Sequence, residues 1–318
     1  MKVLITVKIS DEQLEKIKSL GYEIIRISES KIKNCEEVDD ADILVTYNPF
    51  KRLDISKMKN LKYIMLTSVG FDQLPKEKVI KQNIQVTNNR GGYSIPMSEW
   101  IVMCILEIYK KSKMLYKQQQ DKVWHMDFGI SELYGSRIGF LGTGTIAVEA
   151  AKRLNGFGVE IWGYNTNGRE VEYFGREVEY FDRCFGKNQI NEIFKNCDVV
   201  VSTMPCTENT IGMIDKDKFE LMKQGSSFIN VGRGKIVNEE DLIKYLDKFE
   251  GVALDVFEQE PLPKESPLWD ADNVIVTPHN CWVSDKNDIR VEKLMYSNLK
   301  KYKEGKQVDN IVNIERGY

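Results

Sequence analysis

Short apolar, β-branched runs alternate along the chain with amphipathic segments of helical period. In the first third, strands are predicted at residues 3–7, 23–27, 43–45, 63–66 and 84–86, with helices at 11–20 and 75–82. A second strand series begins at Arg137 and continues through residues 159–164, 199–203, 227–231, 252–254 and 274–276. This alternation is typical of an α/β fold built on parallel sheets.

Two longer helical segments separate these series. Residues 95–120 have the pattern of one long helix, with Pro96 near its first turn, and residues 284–302 predict a final helix. We therefore predict two doubly wound, Rossmann-like domains, the second inserted into the first. Residues 1–94 with 284–318 form the first domain, and residues 95–283 form the second.

A glycine pattern opens the second domain. The apolar run 137–141 leads into Gly142-Thr-Gly144-Thr-Ile-Ala147, which begins a predicted helix. Gly142 permits the tight turn, and Gly144 lets the backbone approach a pyrophosphate. The helix N-terminus, at Thr145 and Ile146, offers N–H groups and a positive dipole end to phosphates. In this strand–turn–helix context the pattern predicts dinucleotide binding, so residues 95–283 are the cofactor domain.

The residues at the end of the next strand, 159–164, are expected to determine whether the site prefers NAD or NADP. An acidic residue there bonds the ribose 2′-hydroxyl of NAD, but this chain has Asn165, Thr166 and then Arg169. Neutral hydrogen-bonding groups followed by an arginine favour NADP; NAD is the alternative if Arg169 points to solvent. The heptapeptide GREVEYF at residues 168–174 repeats at 175–181, and its pattern suits either a helix or a hairpin.

Polar residues follow three apolar strands of the second domain. Arg233 follows strand 227–231, Asp255 and Glu260 follow strand 252–254, and His279 follows strand 274–276. Carboxyl ends of parallel strands line the ligand crevice, so these side chains can converge there. A histidine can exchange a proton, a neighbouring carboxylate favours its imidazolium, and a guanidinium can hold a substrate carboxylate. Asp255 is interpreted as a cofactor-ribose or salt-bridge residue.

Several stretches resemble the D-isomer-specific 2-hydroxyacid dehydrogenases. The matching stretches are Ser68-Val-Gly-Phe-Asp72, Ser98-Glu-Trp100, the Gly142 turn, Cys197-Asp-Val-Val-Val201, Ile229-Asn-Val-Gly-Arg-Gly234, Ala253-Leu-Asp-Val-Phe257, Glu260-Pro-Leu-Pro263 and Thr277-Pro-His279.

The resemblance implies hydride transfer between NAD(P)H and a 2-oxo or D-2-hydroxy acid. It also places Pro205, which follows the Cys197–Val201 match, among the cofactor contacts. It implies that Arg233 binds substrate, that Glu260 pairs with His279, and that backbone N–H groups of Val69 and Gly70 hold the substrate carboxylate. The first domain would then be a flavodoxin-like substrate domain, and helix 95–120 would form a homodimer interface. A dinucleotide-sensing, co-repressor-like binding protein is the alternative. The family pattern is broken at Asn165, at the heptapeptide repeat and at Trp282, which could narrow the substrate pocket or pack between domains.

The net charge and the cysteine spacing argue against several classes of binding partner. The net charge of −3 gives no reason to expect nucleic acid or an anionic membrane as partner. The six cysteines are scattered without a C-x-x-C pair, which predicts reduced thiols and no metal site. The first residues lack the long apolar run of a signal sequence, so we expect a cytoplasmic protein.

Overall fold

The structure is a computed structural model that describes residues 1–166 and 180–315. The chain forms two compact units: Met1–Tyr93 with Ser284–Tyr318, and Ser94–Val283. The strands are β1 (Lys2–Ile5), β2 (Glu23–Arg26), β3 (Ile43–Thr46), β4 (Tyr63–Leu66), β5 (Gln85–Thr87), β6 (Arg137–Leu141), β7 (Glu160–Tyr164), β8 (Arg183–Phe185), β9 (Val199–Ser202), β10 (Ser227–Asn230), β11 (Gly251–Leu254) and β12 (Val274–Val276). The helices are α1 (Asp11–Ser19), α2 (Glu36–Asp39), α3 (Lys76–Lys81), α4 (Ser94–Tyr109), α5 (Ser112–Gln120), α6 (Thr145–Leu154), α7 (Ile190–Asn196), α8 (Lys216–Leu221), α9 (Glu239–Lys244) and α10 (Asn287–Lys303).

The first unit is a five-stranded parallel sheet in the order β2-β1-β3-β4-β5. Strands β3 and β4 are buried along their whole length, because both faces of the sheet are covered. One face packs into a cluster with Val38, Met58 and Phe71, and the other packs under α10 through Met295 and Leu299. This strand order is that of flavodoxin-like folds.

The second unit is a seven-stranded parallel sheet in the order β12-β11-β10-β9-β6-β7-β8. The chain runs outward from β6 through β7 and β8, then crosses to β9 and continues in the other direction. The strand order therefore reverses between β6 and β9, where ligands bind in open α/β sheets. The predicted α/β fold with two parallel sheets is confirmed.

The prediction of one helix over residues 95–120 is wrong. Helix α4 ends at Tyr109 and α5 begins at Ser112, because Lys111 adopts a left-handed conformation with φ of 50°. Helix α4 is apolar and buries much of its surface, whereas α5 buries no residue, so the break marks a change from core to surface.

Strand β8 was not predicted, because three residues at a sheet edge carry too little periodicity. The heptapeptide repeat lies outside the described residues except for Tyr180 and Phe181, so the choice between helix and hairpin stays open. Within residues 1–166 and 180–315, no helix is both long and apolar enough to cross a membrane.

Candidate active site

A glycine turn joins β6 to α6 where the strand order of the larger sheet reverses. Gly142 has a φ of 92°, and a Cβ there would lie 3.2 Å from Oγ1 of Thr203, just after β9. Gly144 caps α6 without a side-chain hydrogen bond, and a Cβ there would have no described atom within 4 Å. Pro205, further along from β9, is exposed. The turn is therefore held against β9 on one side and open on the other.

The first turn of α6 fits a dinucleotide. Ala147 is fully buried, which brings the helix close to the sheet. The Thr145 hydroxyl is buried and accepts a hydrogen bond of 2.8 Å from the Ser94 hydroxyl, so the backbone N–H groups of Thr145 and Ile146 are what this turn offers a ligand. These groups, at the positive end of the helix dipole, would hold a pyrophosphate. Because Gly144 has no side chain, the pyrophosphate could approach the backbone closely at that residue.

The end of β7 lies beside this turn. The Asn165 backbone N–H donates to the Phe185 carbonyl at 3.0 Å, and its Nδ2 donates to Oγ1 of Thr143 at 3.1 Å. The structure therefore places the predicted cofactor-selecting Asn165 against the glycine turn. Thr166 follows on the surface, and Arg169 lies outside the described residues.

Three neighbouring strands carry the predicted catalytic residues. Strands β10, β11 and β12 pair in parallel register, and Arg233, Glu260 and His279 each follow one of them. Arg233 Nη1 donates to the Gly232 carbonyl at 2.8 Å. Burial raises the pKa of the Cys281 thiol, and the Arg233 charge opposes that rise. Arg233 and His279 follow the two strands that lie on either side of β11.

The structure brings Glu260 and His279 together. Nδ1 of His279 lies 2.8 Å from Oε2 of Glu260, although both side chains remain partly exposed. The other Glu260 oxygen, Oε1, accepts the Phe257 backbone N–H at 3.1 Å. The carboxylate thus bridges its own loop and the imidazole, which orients Nδ1 toward Glu260 and Nε2 away from it.

Close backbone packing joins the loops after β10 and β11. A Cβ on Gly234 would overlap the Phe257 backbone, so glycine is needed beside Arg233. The Glu239 backbone N–H donates to Oε1 of Glu258 at 3.0 Å, and the Glu258 N–H donates to Oε1 of Glu239. Burial and the nearby carboxylates Glu258 and Glu260 raise the pKa of Glu239. The Glu260 loop is therefore fastened to the start of α9.

Asp255 is buried, with 1% of its surface exposed. Its carboxylate accepts the Thr277 hydroxyl at 2.7 Å and the backbone N–H groups of Asn280 and Cys281 at 3.1 Å each. These three donors offset the cost of burying the charge. Asp255 organises the turn around His279, and its contact with a cofactor stays a prediction.

In the first unit, Val69 and Gly70 form a turn after β4. The Ser68 hydroxyl donates to the Gly70 carbonyl at 2.6 Å, and Asn88 Nδ2 donates to the Val69 carbonyl at 2.7 Å. Both carbonyls are thus held by neighbouring side chains. The role of the two N–H groups in substrate binding stays a prediction.

The sequence did not identify Asn88 or Glu239 as residues that support the site, and it did not explain why residue 234 is a glycine. Asn88 and Glu239 act through side-chain bonds to residues 19 positions away, and no local pattern encodes such contacts. Gly234 carried a usable signal, because a glycine directly after a strand-end arginine indicates close backbone packing.

A glycine turn at the strand-order reversal, with a carboxylate-paired histidine after another strand of the same sheet, is the arrangement of a nicotinamide-dependent oxidoreductase. A family model for the D-isomer specific 2-hydroxyacid dehydrogenase NAD binding domain matches residues 102–281. The chain belongs to the D-isomer specific 2-hydroxyacid dehydrogenase family, and it is an enzyme that transfers hydride with a nicotinamide dinucleotide.

Individual relatives agree with this assignment. A glyoxylate reductase of Thermofilum pendens is 34% identical over 264 residues, covering 80% of this chain and 76% of the relative. A D-3-phosphoglycerate dehydrogenase of Methanocaldococcus jannaschii is 29% identical over 99% of this chain, which spans only 60% of that relative. A probable 2-hydroxyacid dehydrogenase of Rhizobium etli, solved with NADP, shares the fold with a TM-score of 0.81 and 23% identity, covering 100% of this chain and 99% of that chain.

Proposed function

We propose that this protein reduces a small 2-oxo acid to its D-2-hydroxy acid with NADPH, and that His279 donates the proton. The observation that carries the proposal is the 2.8 Å contact between Nδ1 of His279 and Glu260. A carboxylate at this distance accepts the Nδ1–H hydrogen bond and fixes the ring orientation. The bound dinucleotide supplies the hydride.

Each residue of the site has a defined task in this reaction. His279 gives a proton from Nε2 to the alkoxide that develops on the substrate, and Glu260 accepts the Nδ1–H hydrogen bond throughout. Arg233 pairs with the substrate carboxylate and polarises the carbonyl. On the family resemblance, the backbone N–H groups of Val69 and Gly70 are further proposed donors to the substrate. In the reverse direction, His279 retrieves the proton.

A preference for NADPH is supported by the end of β7. Asn165 presents an amide where an NAD-selective site presents a carboxylate, so nothing at that position repels a 2′-phosphate. NADPH should therefore give a clearly higher kcat/KM than NADH with the same oxo acid. Comparable values for the two cofactors would contradict this preference.

Self-association into a homodimer is supported by exposed apolar side chains after α5. Trp124 is 98% exposed and Phe128 is 90% exposed, and Met126 between them is also exposed. Exposed apolar patches of this kind mark protein–protein contacts. The proposed dimer surface is therefore α5 with residues 121–134, because most of α4 is buried in the second unit.

The substrate class is tested by following NADPH absorbance with a panel of 2-oxo acids. The panel contains glyoxylate, hydroxypyruvate, pyruvate and 3-phosphohydroxypyruvate, because named relatives are glyoxylate reductases and phosphoglycerate dehydrogenases. Turnover of at least one acid is expected. No turnover of any acid, by protein shown by fluorescence titration to bind NADPH, would contradict the proposal.

A further inference from the structure

His279 holds an unusual backbone conformation. Its φ is 52°, in the left-handed region that residues with a Cβ adopt only rarely. Such a conformation costs free energy and persists where surrounding contacts impose it. The contacts around this residue therefore decide whether its ring faces Glu260.

The end of β11 holds one side of His279. The His279 backbone N–H donates to the Asp255 carbonyl at 2.8 Å. The buried Asp255 carboxylate accepts hydrogen bonds from the Thr277 hydroxyl and the Asn280 backbone N–H, on either side of His279. These bonds fix where the turn begins and ends. They leave the His279 carbonyl to be held by another group.

Trp282 holds that carbonyl. Its indole Nε1 donates to the His279 carbonyl oxygen at 2.9 Å, and the Val283 N–H closes the turn on the Asn280 carbonyl at 2.9 Å. Both backbone polar groups of His279 are thus occupied, one by Asp255 and one by Trp282. Among the standard aromatic side chains, phenylalanine has a similar ring but lacks a donor.

We propose that Trp282 is a positioning residue for His279, holding its carbonyl so that the left-handed backbone directs Nδ1 to Glu260. The inference rests on the proposed function, because it assumes that the Glu260–His279 pair carries out proton transfer. It also gives a role to a residue at which the family pattern is broken. A wall of the substrate pocket is the competing role for this side chain.

The central test is Trp282→Phe, which removes the N–H donor but keeps an aromatic ring. We expect kcat to fall about tenfold, because small misplacements of a catalytic group are costly, while KM changes by less than about twofold. Trp282→Ala should also lower kcat, because it removes the same N–H donor.

The matched control is Trp269→Phe. Trp269 is similarly exposed, and its Nε1 donates to the Pro263 carbonyl at 2.9 Å, but it serves the turn Pro267–Trp269. This variant should keep the wild-type kcat. Thermal unfolding and NADPH titration check that each variant is folded and binds cofactor.

A second readout needs no turnover. The chain has two histidines, so His125→Gln leaves His279 as the source of the remaining imidazole Cε1–H signal in NMR spectra. In this background Trp282→Phe should move or broaden that signal, and Trp269→Phe should not. An active wild-type enzyme whose Trp282→Phe variant keeps the kcat and the His279 signal would overturn the inference. So would a change confined to KM in Trp282→Ala, which indicates a pocket wall. A moved signal in an enzyme without turnover would contradict the proposed function and leave the positioning role standing.

Discussion

At the residue scale, Glu260 shares its surroundings with two other carboxylates. The carboxylates of Glu239 and Glu258 each accept a hydrogen bond from the other residue's backbone N–H. Besides burial, the charges of Glu258 and Glu260 raise the pKa of Glu239. On α9, the side chains of Glu240 and Lys244 form an ion pair. The start of α8 contacts α9 through the Lys216 backbone N–H, which donates to the Asp241 carboxylate. The result is a local excess of negative charge next to the proposed proton donor.

This crowding predicts a pH-dependent stability gain for Glu239→Gln. Burial raises the pKa of Glu239 above its ordinary 4.5, so the folded state favours the protonated side chain. The stability that this protonation contributes is fully present below pH 4.5 and is lost as the pH rises through the pKa of the folded state. The glutamine keeps an oxygen for the Glu258 N–H but carries no charge. Its Tm should exceed that of the wild type at pH 7, and the difference should shrink toward pH 4.

Glu240→Gln is the control for this measurement. Glu240 lies on the same helix, is exposed and pairs with Lys244 at 2.8 Å, so its loss should bring no gain at pH 7. A Tm difference for Glu239→Gln that does not change between pH 4 and 7 would show that its charge does not oppose folding.

At the element scale, parallel strands were the most predictable feature. Strands β4 and β12 have the predicted bounds, because short runs of apolar residues stand out between polar segments. The break between α4 and α5 was missed, since no glycine or proline marks Lys111. The proposed Glu260–His279 pair depends on β11 lying beside β12, and that adjacency comes from the whole sheet rather than from local sequence.

Close packing of the loops after β10 and β11 predicts that Gly234→Ala is damaging. The added methyl would overlap the Phe257 backbone and push the Arg233 turn away from the Glu260 loop. We expect a loss of about 1–3 kcal/mol in the free energy of unfolding from overpacking. We also expect a fall in kcat/KM of at least about tenfold, because Arg233 and Glu260 are displaced.

Gly156→Ala is a suitable comparison, since a Cβ there has no described atom within 4 Å and its φ is not left-handed. It should change stability and kcat/KM little. Urea unfolding and steady-state kinetics measure both quantities. Equal behaviour of the two variants would contradict the packing argument.

At the scale of the whole molecule, the exposed apolar surface of residues 121–134 predicts self-association. Replacing Trp124 and Phe128 with serine removes the two most exposed aromatic side chains of this segment. Light scattering after size-exclusion chromatography should give twice the chain mass for the wild type and a lower average mass for the double variant. A monomeric wild type, or an unchanged mass in the variant, would contradict the proposed interface.

The central claim, proton donation by His279, is tested most directly by His279→Gln. Glutamine cannot deliver a proton at neutral pH, so kcat for 2-oxo acid reduction should fall by about 10²–10⁴-fold. The Kd for NADPH should stay close to that of the wild type, because the proposed pyrophosphate site lies on the Gly142 turn and α6. A variant that keeps more than about a tenth of the wild-type kcat, with cofactor bound, would contradict the account.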